Sequence, residues 1–396
     1  MLVIVQNLPV PFDRRVWLEC QALTDAGYEV TVVCPRGDSA PPRILDGVIV
    51  RTYPGYAPGG GAIEYFTEFA YSLLATSWLA FAERRHGAYA VVQACNPPDI
   101  FWVLARAFRL LDGSRFLFDH HDLCPELFES RFQGGRRLLL RALLFLERQT
   151  FRAADHVIAT NESYADVAMD RGHKGCDDVT IVRTGPDPDS MRRTEADPAL
   201  RRGRTHLVAY LGVMGPQDGV DNIVAAADHV VNVKGRDDIS FTLMGNGDCF
   251  DDIAAQRDRL GLHDVVAMLG RVPDETVTAV LSTADIGLSP DPLNPLNDKS
   301  TMNKTMEYMA FGLPVVAFDL HETRVSAGPA AMYVEPNLVD RYAEAIVELI
   351  DNPTRRAEMG TIGRQRVEDE LAWSHQRKAY VSVFDRLLGR TVDGSR

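Results

Sequence analysis

Short apolar runs alternate with longer stretches of helical periodicity along the whole chain. An apolar run bounded by turn residues reads as a buried strand, and apolar residues three and four apart read as one face of a helix. In the first half the strand-like runs are Leu2–Gln6, Glu29–Cys34, Val48–Thr52, Ala90–Ala94, Arg115–Asp119, His156–Thr160 and Val179–Arg183. In the second half they are His206–Leu211, Ser240–Met244, Val265–Leu269, Ile286–Ser289, Val315–Phe318 and Ala331–Val334. Helical patterns fill most gaps. Such alternation predicts parallel sheets covered on both faces, and two series predict two doubly wound α/β domains. Between the series, residues 186–205 are rich in Pro, Asp and Arg and poor in apolar residues, as linkers are. The longest apolar window, 65–82, contains Glu68 and small polar residues, so a buried core helix is expected there and not a membrane span.

Candidate chemistry concentrates in residues 298–319, DKSTMNKTMEYMAFGLPVVAFD. Ser300 and Thr301 are good N-caps for a helix that runs to Gly312, before the strand at Val315–Phe318. Lys299, Asn303, Lys304 and Glu307 lie before or within its first two turns, and 303, 304 and 307 share one face. A helix N-terminus with two lysines suits an anion, and a carboxylate one turn deeper can accept from hydroxyls beyond it. Phosphate plus sugar hydroxyls means a nucleotide. The plain alternative is an amphipathic helix with a solvated polar face.

Other segments carry weaker signals. Residues 119–126, DHHDLCPE, invite a metal reading, but successive strand residues point to opposite faces, so His120 and His121 are poorly placed to share an ion. A histidine there can simply cap the strand end. Gly245 and Gly247 in LMGNGD end a strand and suit either a tight turn or close backbone approach to a ligand. In VMGPQDGV, Gly215 could aim N–H groups at a phosphate or merely turn the chain. Residues 131–152 are basic with an apolar face. They read as a packed amphipathic helix or as a peripheral contact with an anionic membrane that holds a lipid-linked acceptor.

Composition narrows the classes. The chain has 396 residues, 46% of them hydrophobic, ample for two or three domains. A formal net charge of -13 argues against non-specific nucleic-acid binding. The six cysteines form no CxxC pair, so structural zinc and disulfides are not expected. With no evident signal peptide, a cytoplasmic protein is expected, with peripheral contact at the inner membrane face as the variant.

EYMAFGLPVVA, with Glu307, resembles the donor-site helix of glycosyltransferase family 4, whose members carry a Glu, seven residues, then a second Glu. RRVWLECQALTDAGYEVTVV, VAYLGVMGPQDGVDNIVAAA, FTLMGNGD and LGRVPDETVTAVLSTADIGLSP are similar to successive family segments, in order, over nearly the whole chain. The resemblance implies a GT-B fold: a Rossmann-like acceptor-side domain over 1–188, a nucleotide-sugar-binding domain over 189–372, and a segment 373–396 returning to the first. The domains would face each other across a cleft. It implies retaining transfer of a hexosyl or N-acetylhexosaminyl group, UDP-sugar favoured, to an acceptor hydroxyl in surface polysaccharide, glycolipid or natural-product synthesis, with no metal or other cofactor.

By the same resemblance, Lys304, Glu307 and His121 would be catalytic. Gly215, Gly245, Gly247, Arg271, Lys299, Thr301 and Asn303 would join Lys304 and Glu307 on the donor. Asp13, Arg14, Arg15 and one of His120 or His121 would face the acceptor, with Asp13 as a plain helix cap the alternative. Two departures stand out. The first Glu of the family motif is Lys299 here, and the usual Arg and Lys after the first donor-domain strand are Val213 and Asp218. The chain thus resembles a variant subgroup in which Lys299 and Lys304 supply the positive charge. A sugar-nucleotide epimerase using His121 and Asp122, and a non-catalytic nucleotide-sugar binder, remain as alternatives.

Overall fold

The computed structural model describes residues 1–37, 41–56, 62–131 and 137–390. Two compact units emerge: Met1–Thr184 with the segment from Gln376 onward, and Gly185–His375. The first unit comprises β1 (Leu2–Ile4), α1 (Arg14–Asp25), β2 (Thr31–Pro35), β3 (Ile44–Leu45), β4 (Val48–Tyr53), α2 (Ala62–Glu83), β5 (Val91–Cys95), α3 (Trp102–Asp112), β6 (Arg115–His120), α4 (Cys124–Arg131), α5 (Arg137–Ala153), β7 (His156–Ala159), α6 (Glu162–Asp170) and β8 (Val179–Ile181). Its sheet runs β3-β4-β2-β1-β5-β6-β7-β8. Every pairing is parallel except β3 with β4. That short hairpin was not expected from periodicity. Its turn signal is Asp46-Gly47, both at positive φ, a dipeptide that favours tight hairpins.

The second unit contains β9 (His206–Leu211), α7 (Val220–Asp228), β10 (Ile239–Met244), α8 (Phe250–Arg259), β11 (Val266–Gly270), α9 (Asp274–Thr283), β12 (Ile286–Ser289), α10 (Asn303–Ala310), β13 (Val315–Phe318), α11 (His321–Ala327), β14 (Ala331–Val334), α12 (Val339–Ile350) and α13 (Pro353–Arg366). The order β11-β10-β9-β12-β13-β14 is a doubly wound sheet, all parallel, whose connections reverse between β9 and β12. Alternate residues feed opposite cores. Val208, Tyr210, Leu288 and Val316 pack on one face, and Leu207, Ala209, Val315 and Ala317 on the other. Both faces are buried, which is why these strands read as unbroken apolar runs.

Two expectations need correction. Residues 186–205 are no loose linker. Arg193 donates to the carbonyls of Phe311 and Ala284, Ser282 accepts the Thr194 N–H, and Arg201 pairs with Asp285. The polar composition serves this packing onto α9 and α10. Nor is α2 a buried core helix. One side of it is in the core, where Phe69, Leu73 and Leu79 pack beside buried Ser72, Thr76 and Ala80, while Leu74 and Trp78 face outward and half-exposed Phe81 stacks on Phe108. Among the described residues no helix is long and apolar enough to cross a membrane.

The last helix, α14 (Trp373–Leu387), begins at the end of the second unit and belongs to the first from Gln376. There Tyr380, Val383 and Phe384 are buried. The Tyr380 hydroxyl donates to Gln93 Oε1 at 2.6 Å, and Gln93 Nε2 donates to Glu19. Residues 391–396 of the expected returning segment lie outside the described residues, as do 132–136 of the basic stretch.

Candidate functional site

Strands β9 and β12 pair only through Val208, Ala209, Ile286 and Gly287, then diverge. Ligands of doubly wound sheets bind at such a reversal, at the carboxyl ends of the strands. Tyr308 of α10 holds the point of divergence. Its hydroxyl accepts the Leu211 N–H at 2.8 Å and donates to the Leu288 carbonyl at 3.1 Å. Gly287 makes room, since a Cβ there would sit 2.4 Å from the Tyr308 ring. The N-terminal turn of α10 is thereby fixed beside both strand ends.

One turn before Tyr308 stands Lys304, only 9% exposed. Its Nζ lies 2.5 Å from Asp291 Oδ1 and 5.5 Å from the centre of the Tyr210 ring. Asp291 follows β12, is 1% exposed, and accepts from Ser289 Oγ at 2.6 Å. Burial opposes the lysine's charge, but Asp291 outweighs it and raises the Lys304 pKa. Glu307 is half-buried on the next turn, and Asn303 is exposed at the start of α10.

The helix begins later than its sequence suggests, with Met302 as N-cap and no side-chain cap. Asn294 Oδ1 accepts the N–H groups of Leu296 and Asn297, and the Ser300 hydroxyl donates to the Leu296 carbonyl. This turn chemistry competes with helix through Thr301. Lys299 and Thr301 therefore precede α10, half-buried. Beside Lys299, Asp298 Oδ1 accepts the His321 N–H at 2.9 Å, at the start of α11.

Gly245 and Gly247 fit the tight-turn alternative, each closing one loop on its neighbour. A Cβ on Gly245 would fall 1.8 Å from the Gly212 carbonyl oxygen, and one on Gly247 2.7 Å from Met214. Both let the loops after β9 and β10 close on each other, which explains their need for glycine without a ligand. The Gly215 N–H, expected to be available to a phosphate, donates to Asp218 Oδ2 at 2.9 Å. A carboxylate of its own loop takes the anion position. Arg271 is exposed just past β11.

At the first unit's strand ends, His120 and His121 separate. His120 is fully buried among Phe118, Phe151 and Tyr164, and burial pushes its pKa down to about 3. It cannot meet an acceptor. His121 lies past the end of β6, its Nδ1 3.0 Å from Asp119 Oδ2 and its N–H donating to Asn96 Oδ1. Burial opposes its charge, but Asp119 outweighs it and raises the pKa to about 9. A buried carboxylate beside the ring thus favours the charged form of His121.

Arg15, expected to face an acceptor, is buried. It donates to both Asp119 oxygens, at 3.2 and 2.8 Å, and to Val182 O and Thr184 Oγ1. Asp13 caps α1 by accepting the Val16 N–H at 3.1 Å, so its plain reading holds. Arg14 opens α1 and is exposed. Among the described residues, one group of atoms is close enough to share an ion: Glu19, Cys95 and Asp119. Arg15 already pairs with both carboxylates, a poor setting for a cation.

Sequence reasoning missed Asp291, Tyr308 and Asp119. For Asp291 a signal existed, a carboxylate two residues beyond an apolar strand in LSPDP. For Tyr308 none did, because its partners are distant in sequence. For Asp119 the spacing to His121 was a signal, since residues two apart share a face along a strand, but the pairing with distant Arg15 was not legible.

The family model described as Glycosyltransferase Family 4 matches residues 13–190, and that of group 1 glycosyl transferases matches 205–352. The α-maltose-1-phosphate synthase of Mycolicibacterium smegmatis is 27% identical over 271 residues, 61% of this chain and 66% of that protein. A GDP-mannose-dependent monoacylated α-(1-6)-phosphatidylinositol monomannoside mannosyltransferase of Corynebacterium glutamicum is 29% identical over 43% of this chain and 44% of its own length. The matches thus span less than two thirds of these relatives. In structure, a sucrose-phosphate synthase of Thermosynechococcus elongatus superposes with a TM-score of 0.76 at 17% identity, over 98% of both chains. Anabaena HepE in complex with UDP-glucose gives 0.73 at 15% identity, over 97% of this chain and 99% of that one. With both units matched by family models and the fold that of GT-B proteins, the chain belongs to glycosyltransferase family 4.

Proposed function

We propose that this protein transfers a hexosyl or N-acetylhexosaminyl group from a nucleoside diphosphate sugar, UDP the favoured carrier, to a hydroxyl of a small-molecule or lipid-linked acceptor, with retention at the anomeric carbon. The observation that carries this reading is the buried Lys304 at the strand reversal, with Glu307 one turn deeper on the same helix. Charge builds on the diphosphate as the glycosidic bond breaks. A preorganised cation and a helix N-terminus stabilise that charge more than they stabilise the bound ground state. Lys304 would exchange Asp291 for phosphate oxygens, with Lys299 as the second cation where the family places Glu. Glu307 would accept from the ribose hydroxyls. These cations do the work of a divalent metal, so none is required.

The departing phosphate accepts the acceptor's proton, so no separate base is needed. His121, held as an imidazolium, would donate to a hydroxyl of the transferred sugar. Retention and the UDP preference rest on family resemblance, and a similar fold binds UDP-glucose. One relative's name specifies GDP-mannose, so the base is open to test. The experiment incubates the protein with UDP-glucose, UDP-N-acetylglucosamine and GDP-mannose, in chelator, beside a panel of hydroxyl acceptors. The expected result is an α-linked product from a UDP-sugar. Solvent deuterium entering the donor sugar would show an epimerase instead, and tight binding with no product a non-catalytic binder.

A further inference from the structure

The connections β4 to β5, β5 to β6 and β6 to β7 all step the same way along the first sheet. Right-handed crossovers therefore lay α2, α3 and α5 side by side on one face. Arg84 pairs with Asp112 at 2.6 Å, and Arg109 donates to the Ala153 carbonyl at 3.0 Å, so the C-terminal ends of the three helices lie level. Their outer surface is unusual. On α2, Phe69, Leu73 and Leu79 pack inward, yet Leu74 and Trp78 point outward, 73% and 76% exposed, with Phe81 half-exposed at the seam with α3, where it stacks on Phe108. On α3, Leu110 is 88% exposed; on α5, Leu138 is 78% exposed and Phe145 shares its stripe.

Interleaved with these residues are exposed arginines: Arg85, Arg106, Arg141, Arg148 and Arg152. The exposed acid on the described parts of the three helices is Glu64, near the opposite end of α2. A chain of net charge -13 thus gathers positive charge where it gathers exposed apolar side chains. Exposed apolar surface of this extent marks an interaction site. A second copy is a poor occupant, because a two-fold interface sets the patch against itself and brings arginine to arginine.

We propose that the outer face of α2, α3 and α5 docks on an anionic lipid bilayer. The arginines meet lipid phosphates while Trp78, Leu110 and Leu138 enter the boundary between headgroups and acyl chains, the division of labour of interfacial helices. The proposal is independent of the transfer reaction.

The test sediments the full chain with vesicles of phosphatidylglycerol and phosphatidylcholine, and with pure phosphatidylcholine. Strong binding to the anionic vesicles alone, weakened by salt, is expected, together with a blue shift of tryptophan emission that Trp78→Phe abolishes. Arg141→Glu with Arg148→Glu should weaken binding roughly tenfold or more, and Trp78→Ser with Leu110→Ser similarly, at unchanged melting temperature. These residues are exposed, so the variants keep the fold. No binding, equal binding to both vesicle types, wild-type binding by both double variants, or dimerisation abolished by Trp78→Ser would each overturn it.

Discussion

At the scale of single residues, the account turns on charges held below the surface. Lys304 is a buried cation paired directly with Asp291, with the Asp218 carboxylate also acting on it, so Lys304→Met removes more than a phosphate contact. It leaves Asp291 uncompensated, a loss on the order of 3–5 kcal/mol for a buried pair. A rate defect in that variant alone would therefore be ambiguous. Lys304→Met combined with Asp291→Asn should recover most of the melting temperature yet stay slow at saturating donor; wild-type turnover in the double variant would remove Lys304 from catalysis. His121 makes a different prediction. Its folded pKa of about 9 exceeds the ordinary histidine value, so its stabilising pairing with Asp119 is complete below about pH 6.5 and fades as pH rises through 9. Thermal melts of wild type and His121→Gln should differ most in mild acid and converge near pH 10; a gap that widens with pH would show that the pair does not form.

At the scale of elements, Tyr308 shows what joins helix to sheet. Its hydroxyl serves one backbone group on each diverging strand, so Tyr308→Phe takes that partner from the half-buried Leu211 N–H and the buried Leu288 carbonyl. A loss of about 1–3 kcal/mol is expected by denaturant titration, with weaker nucleotide binding as α10 shifts; a neutral result would mean that water replaces the hydroxyl. The same region shows what the sequence could reveal. Strands β9, β12, β13 and β14 were legible to the residue, because burial on both faces leaves an uninterrupted apolar run. The start of α10 was not, because Ser300 and Thr301 look like caps until Asn294 is seen to hold the chain in turns. Likewise α2 was misread, since composition records how apolar a helix is and not which side faces the sheet. The histidine pair was half legible: strand alternation separates His120 from His121, but only the fold reveals that Asp119 charges the second.

At the scale of the whole molecule, the proposal assigns nucleotide chemistry to the Gly185–His375 unit and leaves the other unit to the acceptor. Binding to the folded state raises apparent stability, so a UDP-sugar should raise the melting temperature in chelator as much as with magnesium present. A shift seen only with added metal would end the metal-free account. The most direct test of the central claim is calorimetric titration of UDP, in chelator, into wild type and Glu307→Gln. The account predicts a single site in the wild type, weakened roughly 10- to 100-fold in the variant at unchanged melting temperature, the cost of one charged hydrogen bond. Equal affinity in the two proteins, or no binding without a divalent metal, would contradict it.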